Sequence, residues 1–256
     1  MHLLYRFLFL LAICSLGEPL LSAEPNSYMG RQIAPTMSAD GAEWLTRNSR
    51  EQEEQPRLLL AALELKKGQQ VCDFGCGNGY YSLEIARRIG LRGTVFAVDI
   101  QQEMLDLLAA RAVPRGLDNV KPILATATDP KLPEENFDLV LMVDVYHELS
   151  HPEKVLKAVR ASLNKSGRLV LVEFREEDPE VPILPLHKMS QGQVLKEISA
   201  NGYKLVGQFD KLPWQHVLFF ARDDGSVPVV PLIPWSPKGV IGGKAPDSPL
   251  VIPGGR

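Results

Sequence analysis

The stretch that most constrains this chain is a glycine-rich turn set between an apolar run and an amphipathic one. Val71-Cys72-Asp73-Phe74 reads as a short strand and Gly75-Cys76-Gly77-Asn78-Gly79 as the turn. Tyr80 to Ile89 follows as a helix with Leu83, Ala86 and Ile89 on one side, stopped by Gly90. Glycines at such a junction let the backbone bend sharply and approach a ligand where a Cβ would collide. The alternation runs on through a strand from Thr94 to Val98, a helix from Gln101 to Arg111, and strands at Val120 to Leu124 and Phe137 to Val143. Ser150-His151-Pro152-Glu153 opens a helix over Lys154 to Leu163, followed by a strand from Arg168 to Phe174 and a helix from Met189 to Ala200. Strands at Lys204 to Phe209 and His216 to Ala221 close the series. This order predicts an α/β fold: a doubly wound, mostly parallel seven-stranded sheet with a C-terminal antiparallel strand pair. Ligands in such sheets bind at the carboxyl ends of the strands, where the winding reverses.

The turn does not suit a pyrophosphate. A dinucleotide fingerprint needs G-x-G-x-x-G, and Tyr80 stands where its last glycine belongs. No Gly-Lys-Ser/Thr follows to make a Walker loop, and the Asp73 carboxylate repels phosphate while suiting a cationic amino group. The stretch resembles the first motif of class I S-adenosylmethionine-dependent methyltransferases, apolar-apolar-Asp-apolar-Gly-x-Gly-x-Gly, and matches it at every specified position. The resemblance spans about residues 68–221 and implies a Rossmann-like fold with S-adenosylmethionine as cofactor. With the leader described below, it extends to an exported-looking bacterial branch of that family. It implies that Asp73 helps hold the methionine amine and that Gly75, Gly77 and Gly79 shape the cradle. Asp99, with Ile100 beside it, is implied to grip the ribose, whose two hydroxyls can both donate to one carboxylate. Family members often carry an adenine-contacting acid after the third strand; here that acid is Asp129, although the commonest spacing falls on Thr128. Asp144, after the fourth strand, stands where many relatives face the methionine end of the cofactor.

His147-Glu148-Leu149-Ser150-His151 spells H-E-x-x-H, a zinc-protease motif that requires one continuous helix. Pro152 removes the hydrogen bond to the Glu148 carbonyl and clashes with it. Ser150 and Glu153 read as a capping box that would start a helix inside the motif. Zinc proteolysis is rejected on this basis, and no metal is expected. His147 is thereby freed, and Asp144-Val145-Tyr146-His147-Glu148 resembles relatives with Tyr-His-Glu near the methyl acceptor. Two readings stand: an imidazole base for an acceptor hydroxyl or amine, or a histidine packed beneath the loop. His187, in the insertion Arg175–Lys188, is a second candidate base. Glu173 and Arg175 meet either a polar acceptor or each other in a surface ion pair.

The two ends have a different character. Met1 to Arg6 is a short basic start, Phe7 to Leu16 is unbroken apolar sequence, and small residues offer cleavage after Gly17 or Ala23. That apolar run is short of the ~20 residues a membrane-spanning helix needs. Residues 1–23 are therefore expected to be a signal peptide for a periplasmic or secreted protein, with an uncleaved, membrane-associated leader as the alternative. Residues 24–55 are expected to be an extension whose helix, from Ala42 onward, covers the cofactor cleft, with Trp44 in the core. Residues 56–222 make the methyltransferase domain and 223–256 a tail with seven prolines and six glycines. Pro228, Pro231, Pro234 and Pro237 share one face of a polyproline II helix, which docks in cis or on a partner. The 28 Lys and Arg against 31 Asp and Glu exclude a general nucleic-acid binder. Three cysteines make no disulfide framework. The expected activity is methyl transfer from S-adenosylmethionine to an unidentified small-molecule acceptor by in-line displacement. A cofactor-binding module without turnover and a nicotinamide-dependent oxidoreductase are the alternatives.

Overall fold

The computed structural model describes residues 26–134 and 136–237; the expected signal peptide and the end of the tail lie outside them. Five strands run parallel at its centre: β3 (Gln70–Phe74), β4 (Thr94–Asp99), β5 (Val120–Leu124), β6 (Phe137–Val143) and β7 (Leu163–Arg175). Two further strands, β9 (Tyr203–Phe209) and β10 (Gln215–Arg222), pair antiparallel, and β10 slots between β7 and β9. The order β5-β4-β3-β6-β7-β10-β9 is the doubly wound sheet that the alternation predicts. An eighth, two-residue strand, β8 (Lys188–Met189), comes from the insertion and pairs with the end of β7. β6 leaves room for it, because its pairing with β7 stops at Val172. Winding reverses between β4 and β6, on either side of β3, so the carboxyl end of β3 is the switch point.

Helices cover both faces, and the strands alternate their side chains accordingly. Leu139, Leu141, Val170 and Val172 pack with Leu59, Leu60 and Leu63 around α2 (Pro56–Ala62) and with Ile85 and Ile89 of α3 (Tyr80–Ile89). Val140, Met142, Leu169 and Leu171 point the other way, to Val155 and Val159 of α5 (Pro152–Ser162) and Val194 and Ile198 of α6 (Gln191–Ser199). Leu105 and Leu108 of α4 (Gln102–Ala112) pack on Ala97. Strands buried on both sides read as continuous apolar runs, which is why β6 and β7 stand out in the sequence.

Two local expectations need correction. Helix α5 starts at Pro152, and the Ser150 hydroxyl meets His151 Nδ1 at 3.1 Å instead of capping the helix. The extension is not one helix. Met29 and Gly30 turn a small hairpin with both φ angles positive, joining β1 (Ser27–Tyr28) to β2 (Arg31–Gln32). A 3-10 helix over Ala39–Thr46 follows, and the chain becomes extended at Arg47 before the short α1 (Arg50–Glu53). Of the tail, residues 223–237 lie against the domain itself, one of the two dockings expected for it. Val230 N donates to Leu205 O and Ile233 N to the Gln208 side chain, so the segment covers the edge strand β9. Among the described residues, no helix is long and apolar enough to cross a membrane.

Candidate functional site

A cavity of about 530 Å³ opens at the carboxyl ends of β3, β4 and β6, within the range of small-ligand sites. Its floor is the glycine turn. Gly75, Gly77 and Gly79 all take positive φ, and a Cβ on Gly75 would lie 2.5 Å from Val145 Cγ2. Gly75 and Gly77 line the cavity. Gly79 does not: it precedes α3 and makes room for Leu108 of α4, whose Cγ would stand 2.7 Å from an added Cβ.

The acids divide in the same way. Asp99 ends β4 at the cavity wall, where its two carboxylate oxygens accept from Gly77 N (2.9 Å) and Gln101 N (3.0 Å). Burial raises its pKa against the pull of these N–H groups. Each oxygen keeps a second lone pair for a ligand hydroxyl. Ile100 is exposed and lines the wall beside it. Asp73, in contrast, points beneath the turn, where Ser82 Oγ donates to it at 2.5 Å; burial holds its pKa up at about 6. It anchors the turn to α3 and is not on the cavity wall. Asp129 is also off the wall. Its exposed carboxylate accepts from Lys131 N, and Ala125, Thr126 and Ala127 take the wall position.

Asp144 is on the wall, in a left-handed backbone conformation with φ of 54°. Gln215 Nε2 donates to its Oδ2 at 2.7 Å, whereas Oδ1 is shut from solvent with no hydrogen-bond partner among the described residues. Burial, and then the charges of Glu54 and Glu173, raise its pKa well above the usual carboxylate range. A buried polar oxygen left without a partner calls for one, and a ligand N–H donor in the cavity would supply it. Arg50 and Glu54 line the same end of the cavity, joined by a 2.8 Å ion pair.

His147 does not reach the cavity. The 3-10 turn Tyr146–Glu148 sends Glu148 to the wall and buries Tyr146 and His147 completely. His147 Nδ1 lies 2.6 Å from Glu173 Oε2, and its Nε2 lies 3.1 Å from His187 Nδ1. Burial opposes protonation of His147, but the Glu173 carboxylate outweighs it and raises the pKa; His187 is pushed down to about 4 by burial and by the His147 charge. Burial also lifts Glu148 to about 7. Arg175 is buried, donating to Leu212 O, Pro213 O and Gln215 O, so neither it nor Glu173 forms the surface pair considered above.

The extension roofs the cavity with Pro35, Met37, Trp44 and Leu45. Ala34 N donates to His147 O, Gln101 bonds both Ala39 N and Met37 O, and Asn78 Nδ2 donates to Ala42 O. Trp44 therefore does two things: it packs near Phe174 and Trp214 and also lines the cavity.

A family model described as a methyltransferase domain matches residues 65–221. The chain belongs to that family. It is a class I methyltransferase domain whose cofactor is S-adenosylmethionine, and the bare turn, Asp99 and the orphaned Asp144 oxygen fit that group. It is similar to the nocamycin O-methyltransferase of Saccharothrix syringae, 38% identical over 84 residues, 33% of this chain and 30% of that one. It is also similar to the ubiquinone/menaquinone biosynthesis C-methyltransferase UbiE of Azotobacter vinelandii, 29% identical over 119 residues, 46% of this chain and 47% of that one. The chain thus spans less than half the length of each of these two relatives. A solved SAM-dependent methyltransferase from Aquifex aeolicus shares the fold with a TM-score of 0.68 at 23% identity, covering 72% of this chain and 98% of that one. In this methyltransferase domain Arg50, Glu54, Gln101 and Gln215 were not singled out as site residues by sequence. Arg50 and Glu54 are spaced like a surface helix pair, and Gln215 lies 71 residues from Asp144, which it meets only through folding.

Proposed function

We propose that this protein transfers a methyl group from S-adenosylmethionine to a small, largely apolar acceptor. The observation that carries the reading is one cavity holding both an acid poised for ribose hydroxyls, Asp99, and an unsatisfied carboxylate oxygen, on Asp144. Asp99 would hold the ribose, Ile100 and Ala125 to Ala127 would flank the base, and Asp144 would accept from the methionine ammonium. The glycine turn gives the backbone close approach between them. Bound there, the sulfonium supplies an electrophilic methyl and a neutral leaving group. The protein's part is then alignment and exclusion of water. The extension does the second by closing over the cavity with apolar side chains, and Met37, Trp44 and Phe174 favour an acceptor with apolar surface. Two relatives, by name an O- and a C-methyltransferase, support oxygen or carbon as the accepting atom.

Incubating the full chain with tritium-methyl cofactor and a small-molecule extract tests the reading. Label is expected in an organic-soluble product, and its transfer is expected to fall at least tenfold with Asp144→Asn. Tight binding of reduced nicotinamide dinucleotide, with no labelled product, would contradict it. Residues 1–23 are proposed as an export signal on their sequence pattern, and cell fractionation with N-terminal sequencing of the recovered chain tests that separately.

A further inference from the structure

The refused H-E-x-x-H motif leaves its first two residues beside a third that the motif does not contain. His147, Glu148 and His187 bring one ligand atom each to within 4.8 Å of one another. The two imidazoles face each other at 3.1 Å through His147 Nε2 and His187 Nδ1, and Glu148 Oε1 stands 3.9 Å from the same His147 nitrogen. Tetrahedral zinc with ligand nitrogens at ~2.0–2.1 Å sets them about 3.3 Å apart, so the pair is already spaced for a shared cation. Glu173 Oε2 receives the opposite nitrogen of His147 at 2.6 Å, which fixes the tautomer that offers Nε2 as a ligand. Glu173 is itself held, because Tyr146 N donates to its other oxygen. This carboxylate–imidazole arrangement is a common support of bound metal.

We propose that His147 Nε2, His187 Nδ1 and a Glu148 oxygen form a site for a divalent transition cation of the zinc class. Two neutral imidazoles and one carboxylate are a borderline-soft donor set, which selects such an ion over magnesium or calcium. The cation replaces the single proton that the two facing nitrogens otherwise share. The Glu148 and Glu173 carboxylates balance its charge. Both histidines are buried, and Glu148 lines the cavity, so entry and any remaining coordination position lie on the cavity side. Resting on the methyl-transfer reading, that position would receive an acceptor hydroxyl and favour its deprotonated form.

Equilibrium dialysis against Zn2+ after chelator treatment, with cobalt absorption spectroscopy on the same protein, tests the site. One ion per chain is expected, with visible cobalt bands of nitrogen and oxygen ligation. His187→Ala and Glu148→Gln should each weaken binding at least tenfold while circular dichroism and cofactor affinity hold. Glu173→Gln should weaken it ~10–100-fold by releasing His147. If His187→Ala does not fold, the cavity-facing Glu148→Gln decides alone. Binding that Glu148→Gln leaves intact, thiolate charge-transfer bands from Cys72 or Cys76, or no bound ion would overturn the proposal. Cofactor binding is read separately, so either conclusion can fail without the other.

Discussion

The two sides of the cavity are built by different means. On the β3–β4 side, the site is a backbone device. Three positive φ angles, a turn bonded to Val98 O through Gly75 N and Cys76 N, and an acid at the end of the next strand lie within thirty residues of one another. On the β6–β7 side, the site is assembled from distant segments: Glu148, Glu173, His187, Arg50 and Gln215 meet only once the sheet has formed and the extension has closed. The first side is set by local stereochemistry, the second by tertiary packing. Substitutions on the first should therefore damage cofactor binding directly, and those on the second should act on the roof, on the acceptor end and, through Gln215 and Asp144, on the methionine end of the cofactor.

The largest effect expected is at the turn. Gly75→Val forces a β-branched side chain into a left-handed conformation and into Val145, at an expected cost of about 3 kcal/mol from backbone and overpacking together. Urea melts and loss of cofactor binding would show it; a variant of wild-type stability and affinity would remove the turn from the site.

Asp73 gives a comparable effect that depends on pH. Its pKa is raised from 3.8 to about 6, so the folded protein keeps a proton that the unfolded chain releases. Its contribution to stability is unchanged below about pH 4, falls as pH rises through the window up to about 6, and stays lost above it. Two pKa units correspond to about 3 kcal/mol. Asp73→Asn should therefore be the more stable form near neutrality and lose that advantage in acid, as thermal melts at several pH values would show. A pH-independent difference would mean the carboxyl is not held as described.

The smallest effect belongs to the roof. Asn78→Ala removes the bond to Ala42 O, worth about 1 kcal/mol, together with one that its Oδ1 accepts from the half-buried Arg111. Amide exchange in residues 39–46 should quicken while β6 and β7 stay protected. Equal quickening in the central strands would mean that the roof and the sheet open as one unit.

How much of this was legible in the sequence follows the same division. The sheet order could be read because β6 and β7 are apolar on both faces, and the cofactor turn because glycine spacing is a local property. A motif names positions without the direction of side chains, so it marks Asp73 for the methionine amine and Gly79 for the cradle, whereas one points to Ser82 and the other makes space for Leu108. Pro152 starts a new helix after His147, whose partners Glu173 and His187 lie 26 and 40 residues away, beyond any local signal. The 3-10 helix of the extension departs from the helix predicted from Ala42 because the chain must lay Leu45 over Gly77 and then turn Arg50 inward.

Calorimetric titration of S-adenosylmethionine into the full chain and its Asp99→Ala variant tests the nucleoside site most directly. Loss of charged hydrogen bonds predicts affinity at least tenfold weaker in the variant, with the fold unchanged by circular dichroism. Equal affinity in the two proteins would contradict the assignment of this wall to the ribose.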